Sequence, residues 1–364
     1  MRPLDRIEIK GFKSIHEMDL QLGPLNVLIG ANGAGKTNFI SALQLLNQII
    51  RGNLQPFVAT SVGVDALLYQ GQKVTSEIFL QLHFGVNGYK VTLVPSVQDS
   101  LVFDDERCWY QGEGYDTPFD IWLGKGHKET QLLKEAQRKE GRVARNVLKC
   151  LTDYKIYHFH DTSRSAKIKQ AGNINDNAAL RPNASNLAAF LYLLRETQRK
   201  HYARIVGTIR LAAPFFDDFD LRPSPLNPEK IRLEWREKGS DAYFNAHTLS
   251  DGTLRFICLT TLLLQPTLPS TILIDEPELG LHPFAITLLA GMLRSAATKT
   301  QVIVSTQSVS LVNQFDPEDI IVVDREEGES KFKRLEAQEI KSWLEEYGLG
   351  DLWEKNILGG RPQR

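Results

Sequence analysis

The stretch Gly30-Ala31-Asn32-Gly33-Ala34-Gly35-Lys36-Thr37 constrains this chain more than any other. It fits G-x-x-x-x-G-K-[ST] at every fixed position, which a random chain of this length does about once in a hundred. The apolar run 25–29 before it suits a strand buried on both faces. After it, Phe39, Ile40, Leu43, Leu46, Ile49 and Ile50 recur at helical spacing. Strand, glycine loop and helix in that order build a phosphate cradle. Glycines let backbone N–H groups turn inward around a phosphate. Lys36 supplies a point charge for the β- and γ-phosphates, and the Thr37 hydroxyl is a hard ligand for magnesium. The helix start adds the positive end of its dipole. The predicted ligand is ATP with Mg2+, held by Asn32, Gly33, Ala34, Gly35, Lys36, Thr37 and Asn38, with Lys13 as a further contact.

Two other segments carry chemistry. The β-branched run 271–274 ends in Asp275-Glu276. A P-loop ATPase needs an acid at the end of a neighbouring strand for the magnesium shell, which suits Asp275. Glu276 is placed to act as general base on the attacking water. Leu249-Ser250-Asp251-Gly252 precedes an apolar helix. Ser250 reads plainly as a helix cap; read for function, its hydroxyl and the Gly252 amide form a second anion site.

The order of P-loop, L-S-x-G segment, D-E-P pair, Gly280-Leu281-His282-Pro283 loop and Ser305-Thr306-Gln307-Ser308 strand end resembles the ABC-type ATPase head. Ile9-Lys10-Gly11-Phe12-Lys13-Ser14 and Asn32 resemble its RecF/SMC-like branch. The motifs span residues 6 to about 324. The resemblance implies an α/β fold: a P-loop NTPase with an ABC-type head, a mixed N-terminal sheet, a mostly parallel core sheet and a partly helical insertion. It also implies that two heads sandwich two ATP molecules, Ser250 and Gly252 of one touching the ATP on Gly30–Thr37 of the other. Asp275 would then serve magnesium, Glu276 would polarise water, and 279–283 would couple the sites. Gln307 stands where the family usually has histidine; it can donate to a phosphate oxygen or orient water but carries no charge. Asp251 stands where glycine is common, and an anion beside a γ-phosphate is unfavourable unless it points away. The magnesium-sensing glutamine is Gln70 or Gln72, or this is an ordinary turn.

Elsewhere the pattern predicts strands at 5–10 and 19–22, a hairpin of 76–84 and 89–94 around Asn87-Gly88, and a charged helix over 130–150. It continues with a strand at 156–160, a loop over 163–182, a helix at 185–201 and a strand at 231–236. Helices at 253–264 and 283–297, strands at 301–305 and 320–324, and a helix at 337–347 complete it. Four regions are expected: an N-terminal lobe 1–95, an insertion 96–215, a C-terminal lobe 216–335 and a helical tail 336–364. No long coiled coil is present, and the tail carries no acidic cluster of the nuclease kind.

His158, His160 and Asp161 invite a metal reading, but no further ligand lies nearby and structural zinc takes four, so a sheet edge is preferred. Arg164, Lys167 and Lys169 read as a solvated basic loop, and 215–218 as a turn with buried aromatics. Forty-three basic side chains against forty-four acidic ones give a net charge of -1, so no global field points to nucleic acid. Cys108, Cys150 and Cys258 are too far apart for a C-x-x-C motif. Without an apolar leader or spanning run, the expected setting is the cytoplasm, away from membranes. The function implied is an ATP-hydrolysing switch. It would dimerise through its heads and act on DNA or in phage defence with a separate nuclease or toxin. A transporter ATPase subunit and an ATP-holding scaffold are the alternatives.

Overall fold

The computed structural model describes residues 3–61, 63–112, 114 and 117–360, the Glu339 side chain excepted. The chain forms two compact units: residues 1–154 with 315–364, and residues 155–314.

In the first unit, six strands pair in the order 15–21, 6–12, 78–84, 87–95, 101–110 and 119–124, all antiparallel. Alternation drives this: Ile7, Ile9, Met18, Leu20, Leu80, Leu82, Val91 and Leu93 are buried. The two strands Leu101–Tyr110 and Phe119–Gly124 fall in the stretch expected as insertion and extend the N-terminal sheet instead. The hairpin turn is Gly85-Val86, not Asn87-Gly88. Gly88 lies within the strand because Trp109 covers it: a Cβ there would come 1.9 Å from the indole. Leu25–Ile29 is buried throughout and pairs in parallel with Ile320–Glu326, which pairs antiparallel with Glu329–Arg334.

In the second unit, Thr271–Asp275 pairs in parallel with Gln301–Ser305, and helix Pro283–Ala297 makes the crossover. Helix Asp251–Leu264 is buried all round from Leu254 onward. The helix expected at 185–201 is two, Leu187–Thr197 and Arg199–Ala212. Asn186 stands at its N-cap without a side-chain cap bond; its side chain instead fastens the preceding loop at Asp176, Ala179 and Arg181. The 130–150 helix is likewise two, Leu132–Gln137 and Arg142–Thr152, parted around Gly141. No helix among the described residues is long and apolar enough to cross a membrane.

Candidate functional site

The P-loop residues all lie in the first unit. Helix Lys36–Ile50 begins at Gly35 with no side chain capping its N–H groups and no acid in its first turn, so an anion meets no competitor there. Asn32, Gly33 and Thr37 are exposed, whereas Ala34, Gly35 and Lys36 are buried. The Lys36 ammonium folds back onto the carbonyls of Gly30 (2.6 Å) and Ala31 (3.1 Å), two neutral acceptors that a phosphate would outbid. Among the described residues, the Thr37 hydroxyl is committed to no hydrogen bond, as a metal ligand requires.

A buried polar relay holds this loop from behind. The Ser330 hydroxyl donates to the Ala34 carbonyl at 2.6 Å and meets the Ser14 hydroxyl at 2.6 Å. Asn38 Nδ2 donates to Ser14 Oγ at 2.6 Å, and the Ser330 amide donates to the Ser14 carbonyl at 2.8 Å. Gly35 has φ +124°, and a Cβ there would come 2.1 Å from Ser330 Oγ, so only glycine fits. Ser330 escapes sequence reading because 316 positions separate it from Ser14. Arg325 Nη1 also donates to the Gly33 carbonyl at 3.2 Å.

Lys13 sits in the left-handed region at φ +50°, half-buried, with burial pushing its pKa down and its ammonium 5.6 Å from the Phe12 ring. Its amide donates to Leu67 O, and Tyr69 N donates to Gly11 O, so 67–69 runs alongside 11–13. Next in line is Gln70, at φ +53°, its amide donating to the Tyr69 hydroxyl at 3.0 Å; Gln72 is held by its backbone N to Asp65 at 2.8 Å.

Asp275, Glu276, Gln307, Ser250 and Gly252 all lie in the second unit. Asp275 ends its strand opposite Ser305. Glu276 keeps a 2.8 Å bond from its amide to the Ser305 carbonyl but takes φ +41°, a conformation that costs a side-chain-bearing residue about 1–3 kcal/mol. That turn re-aims its carboxylate, and Gln307 Nε2 donates to Glu276 Oε1. The pair is thus built without an imidazole: the glutamine orients the carboxylate as a neutral donor.

Glu278, which the sequence reading passed over, sits behind this pair. Its Oε1 accepts from the Thr306 hydroxyl (2.6 Å) and the Gln307 amide (3.2 Å), while Oε2 is buried with no partner among the described residues. Burial raises the Glu278 pKa, with the nearby Glu276 charge adding to it.

Ser250 is exposed and caps helix Asp251–Leu264, its hydroxyl accepting from Thr253 N at 3.2 Å. Gly252 abuts the 279–283 loop, where a Cβ would come 2.1 Å from the Gly280 carbonyl oxygen. Arg255, one turn on, donates to Leu279 O and, at 3.2 Å, to Phe159 O, and burial lowers its pKa. Helix Asp251–Leu264 and the 279–283 loop are thereby one packed body. Asp251 faces Lys169, Nζ to Oδ1 3.7 Å, and Lys169 also donates to Thr162 O at 2.6 Å. The Lys169 side chain is only 6% exposed, so the basic loop is not solvated at this position; its ammonium pairs with the Asp251 carboxylate. His158 and His160 lie with rings 6.4 Å apart, and burial lowers the His158 pKa. Among the described residues no group of three His, Cys, Asp or Glu could hold a metal ion.

The chain is similar to several known proteins. The family described as "AAA ATPase domain" matches residues 3–189, and one described as "AAA domain, putative AbiEii toxin, Type IV TA system" matches residues 137–313. An OLD nuclease from Thermus scotoductus is 25% identical over 347 residues, which is 89% of this chain and 63% of that protein. The DNA replication and repair protein RecF of Aliivibrio fischeri is 36% identical over 92 residues, 23% of this chain and 24% of that one. The chain thus spans less than two thirds of the length of these curated relatives. An SMC head bound to the C-winged helix domain of ScpA shares the fold at TM-score 0.62 and 15% identity, over 93% of this chain and 99% of that one. An Smc head with an extended coiled coil, bound to a ScpA domain derived from Pyrococcus furiosus, gives 0.57 and 14% over 95% and 99%. The chain belongs to the AAA ATPase domain family and is a RecF/SMC-like ABC-type ATPase.

Proposed function

We propose that this chain binds and hydrolyses ATP and uses it to close two heads around the nucleotide, as a cytoplasmic switch that acts on DNA with a separate effector. The carrying observation is the construction of the signature segment. Ser250 is left exposed at a helix start while Gly252 and Arg255 pin that helix to the 279–283 loop, and Lys169 cancels the Asp251 charge. A surface built to receive an anion from outside, and wired to the loop that follows the acidic pair, suits a γ-phosphate presented by a second copy.

In this reading Gly33–Thr37 and Lys36 grip the phosphates, with Asn32, Asn38 and Lys13 as further contacts. Magnesium, held by Thr37 and Asp275, would neutralise developing charge. Glu276 takes the proton of the attacking water, and Gln307 fixes the carboxylate that does so. The relatives named for nuclease and DNA-repair activity, and the family described by a toxin, support DNA and a nuclease or toxin partner in phage defence. Turnover per chain, measured against protein concentration, tests the reading. A two-headed site predicts that specific activity rises with concentration until dimers saturate; a specific activity independent of concentration, in a protein that stays monomeric with ATP, would sink it.

A further inference from the structure

The signature helix has a second end. Helix Asp251–Leu264 places its C-terminus about 20 Å from Ser250. There a cavity of about 230 Å³ opens within the second unit, lined by His201, Arg204, Gln265, Thr267, Ser295 and Lys299 among others. None of its lining residues is acidic. Helix Arg199–Ala212 brings Arg199, Lys200, Arg204 and Arg210 and no carboxylate. Arg210 pairs with Asp217, but among the described residues no carboxylate pairs with Lys200, Arg204 or Lys299, all exposed. Lys200 and Arg204 stand four positions apart, on one face, where like charges repel. In a chain of net charge -1 this concentration of positive charge is local.

A structural role would be to complement helix dipoles. The C-termini of helices Asp251–Leu264 and Pro283–Ala297 both reach the cavity, and each carries about half a negative charge. Together they offset about one of the three full charges on Lys200, Arg204 and Lys299, leaving about two. A guanidinium fork, an ammonium, the Ser295 and Thr267 hydroxyls and the Gln265 amide suit a phosphate oxygen shell. The volume is below the range of about 300–1,000 Å³ usual for a whole small-molecule ligand. It fits a phosphate whose parent molecule stays outside, along the basic helix.

We propose that this cavity binds a backbone phosphate of a polynucleotide. The inference rests on the DNA part of the function proposed above and gives it a place, at the end of the signature helix remote from ATP.

The test is fluorescence anisotropy of a labelled DNA duplex with the full chain, without nucleotide, across a salt series. Arg204→Ala/Lys299→Ala should weaken binding about tenfold or more. It should also lower the slope of log affinity against log salt by about 0.9, the value for the one phosphate that is no longer neutralised. Lys125→Ala, at an exposed cation of the other unit paired with Asp104, serves as the control and should change neither. Both substituted side chains are exposed, and a thermal melt of the double variant verifies that it folds. Duplex affinity unchanged within twofold in the folded variant overturns the proposal. Inorganic tripolyphosphate provides the free-phosphate arm: binding of it at Arg204 and Lys299 without binding of duplex overturns the polynucleotide assignment. ATP-driven dimerisation of the double variant is read separately by mass. A variant that loses DNA but still dimerises supports the site; wild-type protein that never dimerises refutes the switch and leaves the DNA result to stand by itself.

Discussion

Gly252→Ala tests the link between signature and coupling loop with a single methyl group. The added Cβ would lie 2.1 Å from the Gly280 carbonyl oxygen, and that oxygen is backbone, so no rotamer change relieves the clash. Overpacking of this kind costs about 2–3 kcal/mol, at the upper end of its usual range. Alanine is the better helix former, which returns about 0.5–1 kcal/mol. The net loss is therefore about 1–2.5 kcal/mol. The unit of about 160 residues that contains Gly252 has an unfolding entropy near 0.34 kcal/mol/K at 2.1 cal/mol/K per residue. Its melting temperature should then fall by about 3–7 °C. ATP binding by the isolated monomer should persist, because Gly30–Thr37 lies in the other unit, while ATP-driven dimerisation should fail. Differential scanning calorimetry and nucleotide titration read both. The sign is decisive: without the clash, alanine at this helix position would raise the melting temperature, and a rise would refute the packing argument.

Three further outcomes follow from the same geometry. Ser330→Ala should cost about 1–3 kcal/mol by leaving the Ala34 carbonyl and Ser14 hydroxyl short of a partner, and should weaken ATP binding in calorimetric titration; unchanged affinity would detach the relay from the P-loop. Lys169→Gln should leave stability within about 1 kcal/mol, since Asp251 is exposed, yet should raise the KM for ATP several-fold by uncovering an anion. Adding Asp251→Gly should restore it, and no rescue would show that Lys169 acts otherwise. For Glu278 the sign is set by a raised pKa: above the ordinary value of 4.5 the unfolded chain releases a proton that the folded chain retains. Stability from this group is full below that value and declines as pH rises through the folded pKa. Glu278→Gln should flatten that decline in chemical denaturation measured from pH 4 upward in approximately unit steps; an identical slope in both proteins would show that Glu278 ionises freely.

The parts of the site legible in the sequence are those written in consecutive residues. Gly30–Thr37, the strands Leu25–Ile29 and Gln301–Ser305, and helix Pro283–Ala297 keep the bounds that pattern and spacing predict, because glycine loops, apolar runs and a proline at the first helical turn act locally. Asn87-Gly88 misled for the converse reason: a strong local turn signal yielded to Trp109, which needs a residue without Cβ beneath it. What escaped are groups joined only by folding. Ser330 reaches the P-loop from 296 positions away, Arg255 meets Phe159 across 96, and Glu278 meets Thr306 across 28. Lys169 looked like a solvated loop residue because nothing nearby in sequence announces Asp251 as its partner. Glu276 and Gln307 were each visible as candidates, but their pairing depends on a backbone turn at φ +41° that no local pattern specifies.

The central claim is that ATP closes two heads, each completing the other's site. Its most direct measurement is the solution mass of the Glu276→Gln protein with and without ATP and magnesium. That substitution removes the proton acceptor yet leaves an Oε1 to accept from Gln307 Nε2, so the local geometry should survive. The account predicts a monomer without nucleotide, a stable dimer with ATP, and no turnover. A protein that binds ATP but keeps one mass in both conditions would contradict it.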